Sequence, residues 1–224
     1  MAKRLCIAID GPSASGKGTV AKQVAKALDY TYLDSGALYR CVALAGKRDG
    51  LSLDDGPALA GRVPGLGIRL GWEQGVLWVH MGGEDVGSAI RSEEMGQGAS
   101  RVARLPEVRA ALLDLQRTLS AEGGIVMDGR DIGTVVLPDA ELKVFLTASV
   151  DTRALRRHEE QLSRGLPSDL DEVKSALIAR DAQDRNREHA PLRQAVDAVY
   201  LDSSHSTPEE VVAKIVALAA QRSG

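Results

Sequence analysis

The amino-acid sequence predicts an α/β fold in three layers, a central parallel sheet with helices on both faces. Two observations carry that prediction. Short apolar runs suited to buried strands alternate with stretches whose apolar residues recur at helical spacing. The first such pair is joined by a glycine-rich turn, Gly11-Pro12-Ser13-Ala14-Ser15-Gly16-Lys17-Gly18-Thr19. A chain of 224 residues has room for one sizeable unit of this kind, insertions included.

The first strand is read from Leu5 to Ile9 and the first helix from Val20 to Leu28. Between them Gly11, Gly16 and Gly18 carry no side chains. The backbone can therefore wrap a polyphosphate, with its N–H groups and the helix dipole facing the anion. Lys17 adds a point charge that can follow a phosphoryl group as it moves. The segment Gly11 to Thr19 is the candidate nucleotide-binding loop. Its Gly-x4-Gly-Lys spacing is that of a P-loop, but Gly18 stands where a Ser or Thr is expected and the hydroxyl comes at Thr19. That departure weakens the case for direct Mg²⁺ ligation by the loop.

A strand over Tyr30–Leu33 delivers Asp34-Ser35-Gly36-Ala37-Leu38-Tyr39-Arg40 at its carboxyl end, where open α/β sheets bind ligands. Asp34 or Ser35 can N-cap the next helix. Its first turns bring Ser35, Tyr39 and Arg40 to the site mouth. A cation as early as Arg40 opposes the helix dipole unless it has an anionic partner.

From about residue 50 the chain changes character. Glycines are dense, and Gly75–Met81 reads as a strand of a small antiparallel unit. Ile68-Arg69-Leu70 is its partner, turning through Trp72 to Gly75, and Val86 to Ile90 lead out. His80 lies mid-strand without a second His at ligand spacing. The unit is read as an insertion over approximately 50–105, a mobile flap or part of the acceptor site. It ends in a helix from Ser92 to Arg104 that carries Ser100. A second helix follows the break at Leu105-Pro106, with Val108, Leu112, Leu115 and Leu119 at packing spacing and Arg109 in its first turn.

The strand Ile125–Met127 runs into Asp128-Gly129-Arg130-Asp131-Ile132-Gly133-Thr134. Asp128 is placed like the second acid of a P-loop enzyme, which orients Mg²⁺ directly or through water. Two acids flanking Arg130 at a strand end read as a site, although either acid could be a turn former. Leu142–Thr147 is the next strand. Helix signals start at Ser149, and Arg153, Arg156 and Arg157 crowd one turn. After Gly165-Leu166-Pro167 a helix opening at Leu170 is read as carrying Arg180, Asp184 and Arg187 on one face. Residues 151–193 hold nine Lys/Arg and nine Asp/Glu, which excludes a simple basic patch and fits directed pairing. A strand over Ala198–Asp202 and a helix opened by Thr207-Pro208, with Val211, Val212, Ile215, Leu218 and Ala219 inward, close the domain.

Composition sets outer bounds. Hydrophobic residues make up 44% and charged ones 26%, with a net charge of −3. Nothing there points to a nucleic-acid polymer or an anionic membrane as partner. Cys6 and Cys41 lack metal-ligand spacing and read as packing thiols of a reducing compartment. Met1 to Arg4 enter the first strand directly, and the apolar run is too short for a signal peptide or a membrane span. The expected location is the cytoplasm.

With the 34–40, 128–134 and 180–187 segments in hand, the chain resembles the bacterial cytidylate kinases, a family of P-loop nucleoside monophosphate kinases. The resemblance runs from the first strand to the last helix. It implies a P-loop three-layer core, a small inserted NMP-binding domain and a helical lid at approximately 151–190. It implies ATP as phosphoryl donor, Mg²⁺, CMP and dCMP as acceptors, and a monomeric cytoplasmic enzyme. On that resemblance Lys17, Arg130 and Arg180 serve catalysis, and Arg40, Arg130 and Arg180 hold the CMP phosphate. Ser35, Tyr39 and Asp184 line phosphate and pentose; Ser100, Arg109, Asp131 and Arg187 read cytosine. Arg153, Arg156 and Arg157 belong to the lid over ATP. The magnesium has no firm protein ligand, with Thr19 and Asp128 as the candidates. The sequence leaves two rival readings. The loop and the lid arginines do not decide against another P-loop kinase, acting on shikimate, gluconate or a different nucleotide, but these three segments argue against it. A nucleotide-binding switch would show Ser/Thr directly after Lys17 and an Asn-Lys-x-Asp segment; neither is present.

Overall fold

The computed structural model describes residues 4–73 and 76–223. In chain order its elements are β1 (Cys6–Asp10), α1 (Lys17–Leu28), β2 (Thr31–Asp34), α2 (Ser35–Arg48), α3 (Gly56–Arg62), β3 (Arg69–Glu73), β4 (Val76–Met81), β5 (Glu84–Asp85), α4 (Glu93–Val102), α5 (Pro106–Ser120), β6 (Ile125–Gly129), β7 (Leu142–Thr147), α6 (Val150–Ser163), α7 (Leu170–Arg185), β8 (Val199–Asp202) and α8 (Pro208–Ser223). Single 3₁₀ turns at Val63–Leu66 and Ala89–Arg91 and a π turn at Ile132–Val136 complete the list.

Five strands make the main sheet in the order β2-β6-β1-β7-β8, every neighbouring pair parallel. Its inner strands β6, β1 and β7 are buried on both faces, as a parallel sheet covered on both sides requires. The period of two sorts the side chains. Ile7, Ile9, Val126, Val144 and Leu146 join Val20 and Val24 of α1 and Val211 and Ile215 of α8 in one core. Ala8, Leu33, Ile125 and Met127 face the other way, onto Ile132 and Val136 of the π turn, with Leu113 of α5 against them. Helical material therefore covers both faces, the three-layer arrangement read from the sequence. Among the described residues, no helix is long and apolar enough to cross a membrane.

The second sheet is antiparallel, in the order β3-β4-β5. Pairing runs through Trp72↔Leu77 and Glu73↔Val76, so the strands reach further into the hairpin than the expected turn at Trp72 to Gly75. Gln74 and Gly75 of that turn lie outside the described residues. The ring of His80 stands 5.0 Å from that of Trp78. Val79, Leu59 and Val86 are fully buried in the same apolar core as Leu38 and Val42 of α2. The small unit is thus fastened to the helix that follows β2.

Two expectations are corrected. Leu119 is 40% exposed, whereas Gln116 and Ser120 are buried. The inward stripe of α5 runs Val108, Leu112, Gln116, Ser120, at spacings of four. Its polar members are tolerated because they bond their own helix: Gln116 Nε2 donates to Leu112 O and Ser120 Oγ to Gln116 O. Cys6 is half-buried rather than buried, its Sγ donating to Ser120 O, while Cys41 is buried and its thiol is pushed up to about 12.

Helix capping marks one end as different. Asp34, Asp55, Ser92, Ser149 and Asp169 each accept a backbone N–H at the start of α2, α3, α4, α6 and α7. Thr207 and Glu210 form a reciprocal capping box on α8. Helix α5 has no side-chain cap but opens on Pro106, which lacks an N–H. Helix α1 starts after Gly16, at φ +87, with no side-chain cap. Its first-turn donors are left for something else.

The junction of β1 with this loop is tight. A Cβ built on Gly11 would lie 1.9 Å from the backbone oxygen of Leu146 in β7. Gly11→Ala is expected to lower stability by about 1–3 kcal/mol, the usual scale of overpacking. Urea unfolding measures it; a midpoint equal to that of the parent protein contradicts this close packing.

Candidate active site

The carboxyl ends of three strands lie level, with Asp10 opposite Gly129 and Asp34 opposite Asp128. A cleft of about 890 Å³ opens over them. Its walls include the loop from Ser13 to Thr19, the start of α2, the turn after β6 and the end of α7. Every acceptor-side residue expected from the sequence lines it: Ser35, Tyr39, Arg40, Ser100, Arg109, Arg130, Asp131, Arg180, Asp184 and Arg187.

The loop is built to face an anion. Beyond the uncapped N–H groups of α1, the Ser15 hydroxyl is buried and has no hydrogen-bond partner among the described residues. Ala14 adopts φ +59, a conformation that costs a residue with a Cβ on the order of 1 kcal/mol. Lys17 is 6% exposed, and its Nζ donates to Pro12 O at 2.9 Å. Burial, then repulsion from Arg130, pushes its ammonium down to about 7 against the pull of Asp128 and Asp184. A phosphate beside Lys17 would reverse that shift.

The sequence places three arginines of α6 together, and the structure separates them. Arg157 lines the cleft. Arg153 is 2% exposed and spends its donors elsewhere: Nε on Ala148 O, Nη1 on Ser13 O, Nη2 on Asp181 Oδ2. Arg156 donates to Ser15 O and to Ser203. Neither belongs to the cleft lining. Both tie carbonyls of the loop to α6, and Ala14 packs against Ala154, Val173 and Leu177 of the α6–α7 pair.

On the opposite wall, Arg130 Nε donates to Asp184 Oδ2 at 2.8 Å, and Arg187 approaches Asp184 Oδ1 at 3.3 Å. Burial disfavours the Asp184 carboxylate, but Arg130 and Arg187 outweigh it and hold its pKa below the ordinary value. Arg187 reaches this place from outside the helix. Helix α7 ends at Arg185 with Asn186 as C-cap, so the expected continuous face of Arg180, Asp184 and Arg187 is corrected. The chain curls back instead, and Leu192 N bonds Asp184 O. Arg109 donates to Asp131, both nearly buried, and its guanidinium lies 5.9 Å from the Tyr39 ring centroid. This pair supplies the partner that Arg109 needed so early in α5. Burial nonetheless raises the pKa of Asp131.

Arg40 and Arg180 differ from the rest. Arg40 donates to Ile90 O, and the Nε of Arg180 is buried with no hydrogen-bond partner among the described residues. Among the described residues neither has a carboxylate within ion-pair distance. Burial and repulsion from Arg130 push Arg180 down to about 10. Ser35 Oγ donates to Asp128 O, and Ser100 Oγ to Gln183 Oε1.

Asp128 accepts from the Tyr32 hydroxyl at 2.8 Å. Burial, then repulsion by Asp34, pushes it up to about 6, against Lys17. Among the described residues there is no cluster of three or more His, Cys, Asp or Glu suited to a metal. The donors fit a cation carried in by a nucleotide, with Asp128 and the exposed Thr19 hydroxyl in the same cleft. Sequence reasoning missed Tyr32, a polar tip in a buried strand. It also missed Asp10, the acid that closes an apolar strand directly before the glycine loop.

Lys17 carries a pH signature. It titrates near 10.5 when unfolded and about 7 when folded. Between those values the unfolded chain holds the extra proton, so stability rises with pH; below about 7 the cost of the buried ammonium is fully present. Lys17→Met is expected to raise the melting temperature of the nucleotide-free protein more at pH 6 than at pH 9. A gain that is equal or larger at pH 9 contradicts the burial argument.

The family described as cytidylate kinase matches residues 7–221. A cytidylate kinase of Exiguobacterium sp. is 52% identical over 215 residues, 96% of each chain. One of Geobacillus thermodenitrificans is 47% identical over 224 residues, 100% of each chain. Among solved structures, a gluconokinase of Sinorhizobium meliloti superposes with a TM-score of 0.50 at 16% identity, covering 100% of this chain and 95% of that one. An uncharacterized protein of Eubacterium ventriosum gives 0.53 at 12%, covering 98% and 100%. These two likenesses bear on the fold alone. Matched from the first strand to the last helix, the chain belongs to the cytidylate kinase family.

Proposed function

We propose that this enzyme transfers the γ-phosphoryl group of ATP to CMP or dCMP, releasing ADP and CDP or dCDP. The observation that carries the reading is a cleft with an uncapped helix N-terminus and Lys17 on one wall and unneutralised guanidinium groups on the other. Two phosphate-bearing substrates meeting there would each find donors that the protein itself leaves unused.

The loop N–H groups, the Ser15 hydroxyl and Lys17 hold the β- and γ-phosphates, with Arg157 closing from α6. Arg40, Arg130 and Arg180 hold the acceptor phosphate, so that its oxygen is placed in line with the γ-phosphorus. Transfer then needs charge neutralisation and positioning rather than covalent help from the protein. Mg²⁺, when bound with ATP, neutralises the donor phosphates. Asp128 and Thr19 are the residues that would face it. Asp184 and Tyr39, with Ser35, line phosphate and pentose. Residues 50–105 form the acceptor-binding insertion, and 151–190 the lid that keeps water from the γ-phosphate. The enzyme acts as a monomer, as the resemblance implies.

Cytosine is read by its edge. The Asp131 carboxylate accepts from the N4 amino group, and Arg109, Arg187 and Ser100 face the N3 and O2 acceptors. Uracil turns a carbonyl toward Asp131 and leaves both groups unsatisfied. A polar site of this kind can discriminate by up to about 10⁴-fold.

An ADP-release assay over CMP, dCMP, UMP, AMP and shikimate tests the reading. CMP and dCMP should turn over fastest, UMP far more slowly and shikimate not at all. Faster turnover of shikimate or AMP than of CMP, or no acceptor-dependent turnover, would overturn it. Asp131→Ala should lower the CMP/UMP ratio of kcat/KM by about 10–100-fold or more while leaving KM for ATP within about threefold. An unchanged ratio removes Asp131 from base recognition.

A further inference from the structure

Asp10 is 4% exposed, and among the described residues no lysine, arginine or histidine pairs with it. The attraction of Lys17 is the smallest of the influences on it, and a carboxylate buried with so little countercharge is costly, so its presence at the end of β1 calls for a reason. The sheet does not supply one, because a neutral residue could end the strand as well.

The hydrogen bonds do. Oδ1 accepts from Ile132 N–H at 2.8 Å and Oδ2 from Gly133 N–H at 2.7 Å, across 122 and 123 residues of sequence. These are the leading donors of the π turn Ile132–Val136, which has no side-chain cap from its own N-terminal residue. The carbonyl of Asp131 is held as well: Val135 N–H and Val136 N–H donate to it at 2.9 and 3.2 Å. The peptide joining Asp131 to Ile132 is thereby pinned at both its oxygen and its N–H. Pinning that plane fixes ψ of Asp131, which at φ −146, ψ 25 lies outside the regular helix and strand regions. The direction in which the Asp131 side chain leaves the backbone follows from these angles. It carries the carboxylate to Arg109.

We propose that Asp10 is a positioning residue for the base-reading carboxylate, so that β1 sets acceptor-base selectivity from the residue directly before the phosphate loop. Burial pushes the Asp10 carboxyl up to about 7, against the two N–H bonds that favour the carboxylate. That opposition fits a group kept for where it holds the turn rather than for stability. The inference rests on the assignment of Asp131 to cytosine.

The test compares kcat/KM for CMP and for UMP, and KM for ATP, in the parent enzyme and in Asp10→Asn, Asp10→Ala, Asp131→Ala and the Asp10→Ala/Asp131→Ala double variant. Asp10→Ala should lower the CMP/UMP ratio by about tenfold or more, the scale of displacing a recognition group by a fraction of an ångström to one ångström. KM for ATP should stay within about threefold. Asp10→Asn keeps the shape and one acceptor oxygen, and should lower the ratio less. In the Asp131→Ala background, removing Asp10 should change the ratio by less than about twofold, because the group it positions is gone. A ratio that stays at the parent value in both Asp10 variants while Asp131→Ala collapses it overturns this inference alone, whatever happens to stability or kcat. A ratio unchanged in Asp131→Ala overturns the base assignment and the positioning role together. If Asp10→Ala does not fold, Asp10→Asn decides by the same ratio.

Discussion

The site depends on positive charge stored inside the fold without full neutralisation. Lys17 is buried and Arg180 half-buried with its Nε enclosed, and loss of solvent pulls both pKa values down, to about 7 and about 10. Such groups weaken the empty protein and strengthen its hold on an anion, because the cost of desolvation is already met before the ligand arrives. The carboxylates nearby are placed to limit that cost without removing it. Asp184 takes Arg130 and Arg187, Asp131 takes Arg109, and Arg40 and Arg180 are left over.

The sheet makes this arrangement possible. Level carboxyl ends of β1, β2 and β6 put Asp34 opposite Asp128 and Asp10 one position further on, opposite Gly129, and each acid does a different job. Asp34 caps α2, Asp128 takes the Tyr32 hydroxyl and Asp10 holds the π turn. The helical pair α6–α7 joins the same centre through Arg153, which bridges the loop carbonyl of Ser13 and Asp181 one turn before Asp184. Movement of that pair and geometry of the loop are therefore mechanically linked.

Much of this was legible in the sequence, for a physical reason. Strands buried on both faces and amphipathic helices announce themselves through composition and period, so the element order follows from the chain. The loop is legible because only glycines permit such a close approach. Cations early in helices, Arg40 in the second turn of α2 and Arg109 in the first turn of α5, mark partners that local structure cannot provide. What stayed hidden is long-range. Nothing local says that Arg153 turns inward to Asp181 while Arg157 faces the cleft, since both lie on one crowded turn. The end of α7 is set by the chain curling back from Leu192 to Asp184, which helical spacing does not encode. Polar residues in a buried stripe, Gln116 and Ser120, defeat a reading that follows leucines.

The central claim is that the unpaired guanidinium groups of the acceptor wall await a phosphate. Calorimetric titration of CMP and of cytidine, which lacks only the phosphate, into the parent enzyme and Arg180→Ala tests it most directly. Two charge-assisted hydrogen bonds are worth on the order of 3 kcal/mol or more, so CMP should bind at least about a hundredfold tighter than cytidine. Arg180→Ala should erase most of that difference. Cytidine binding as tightly as CMP, or an unchanged difference in Arg180→Ala, would contradict the account.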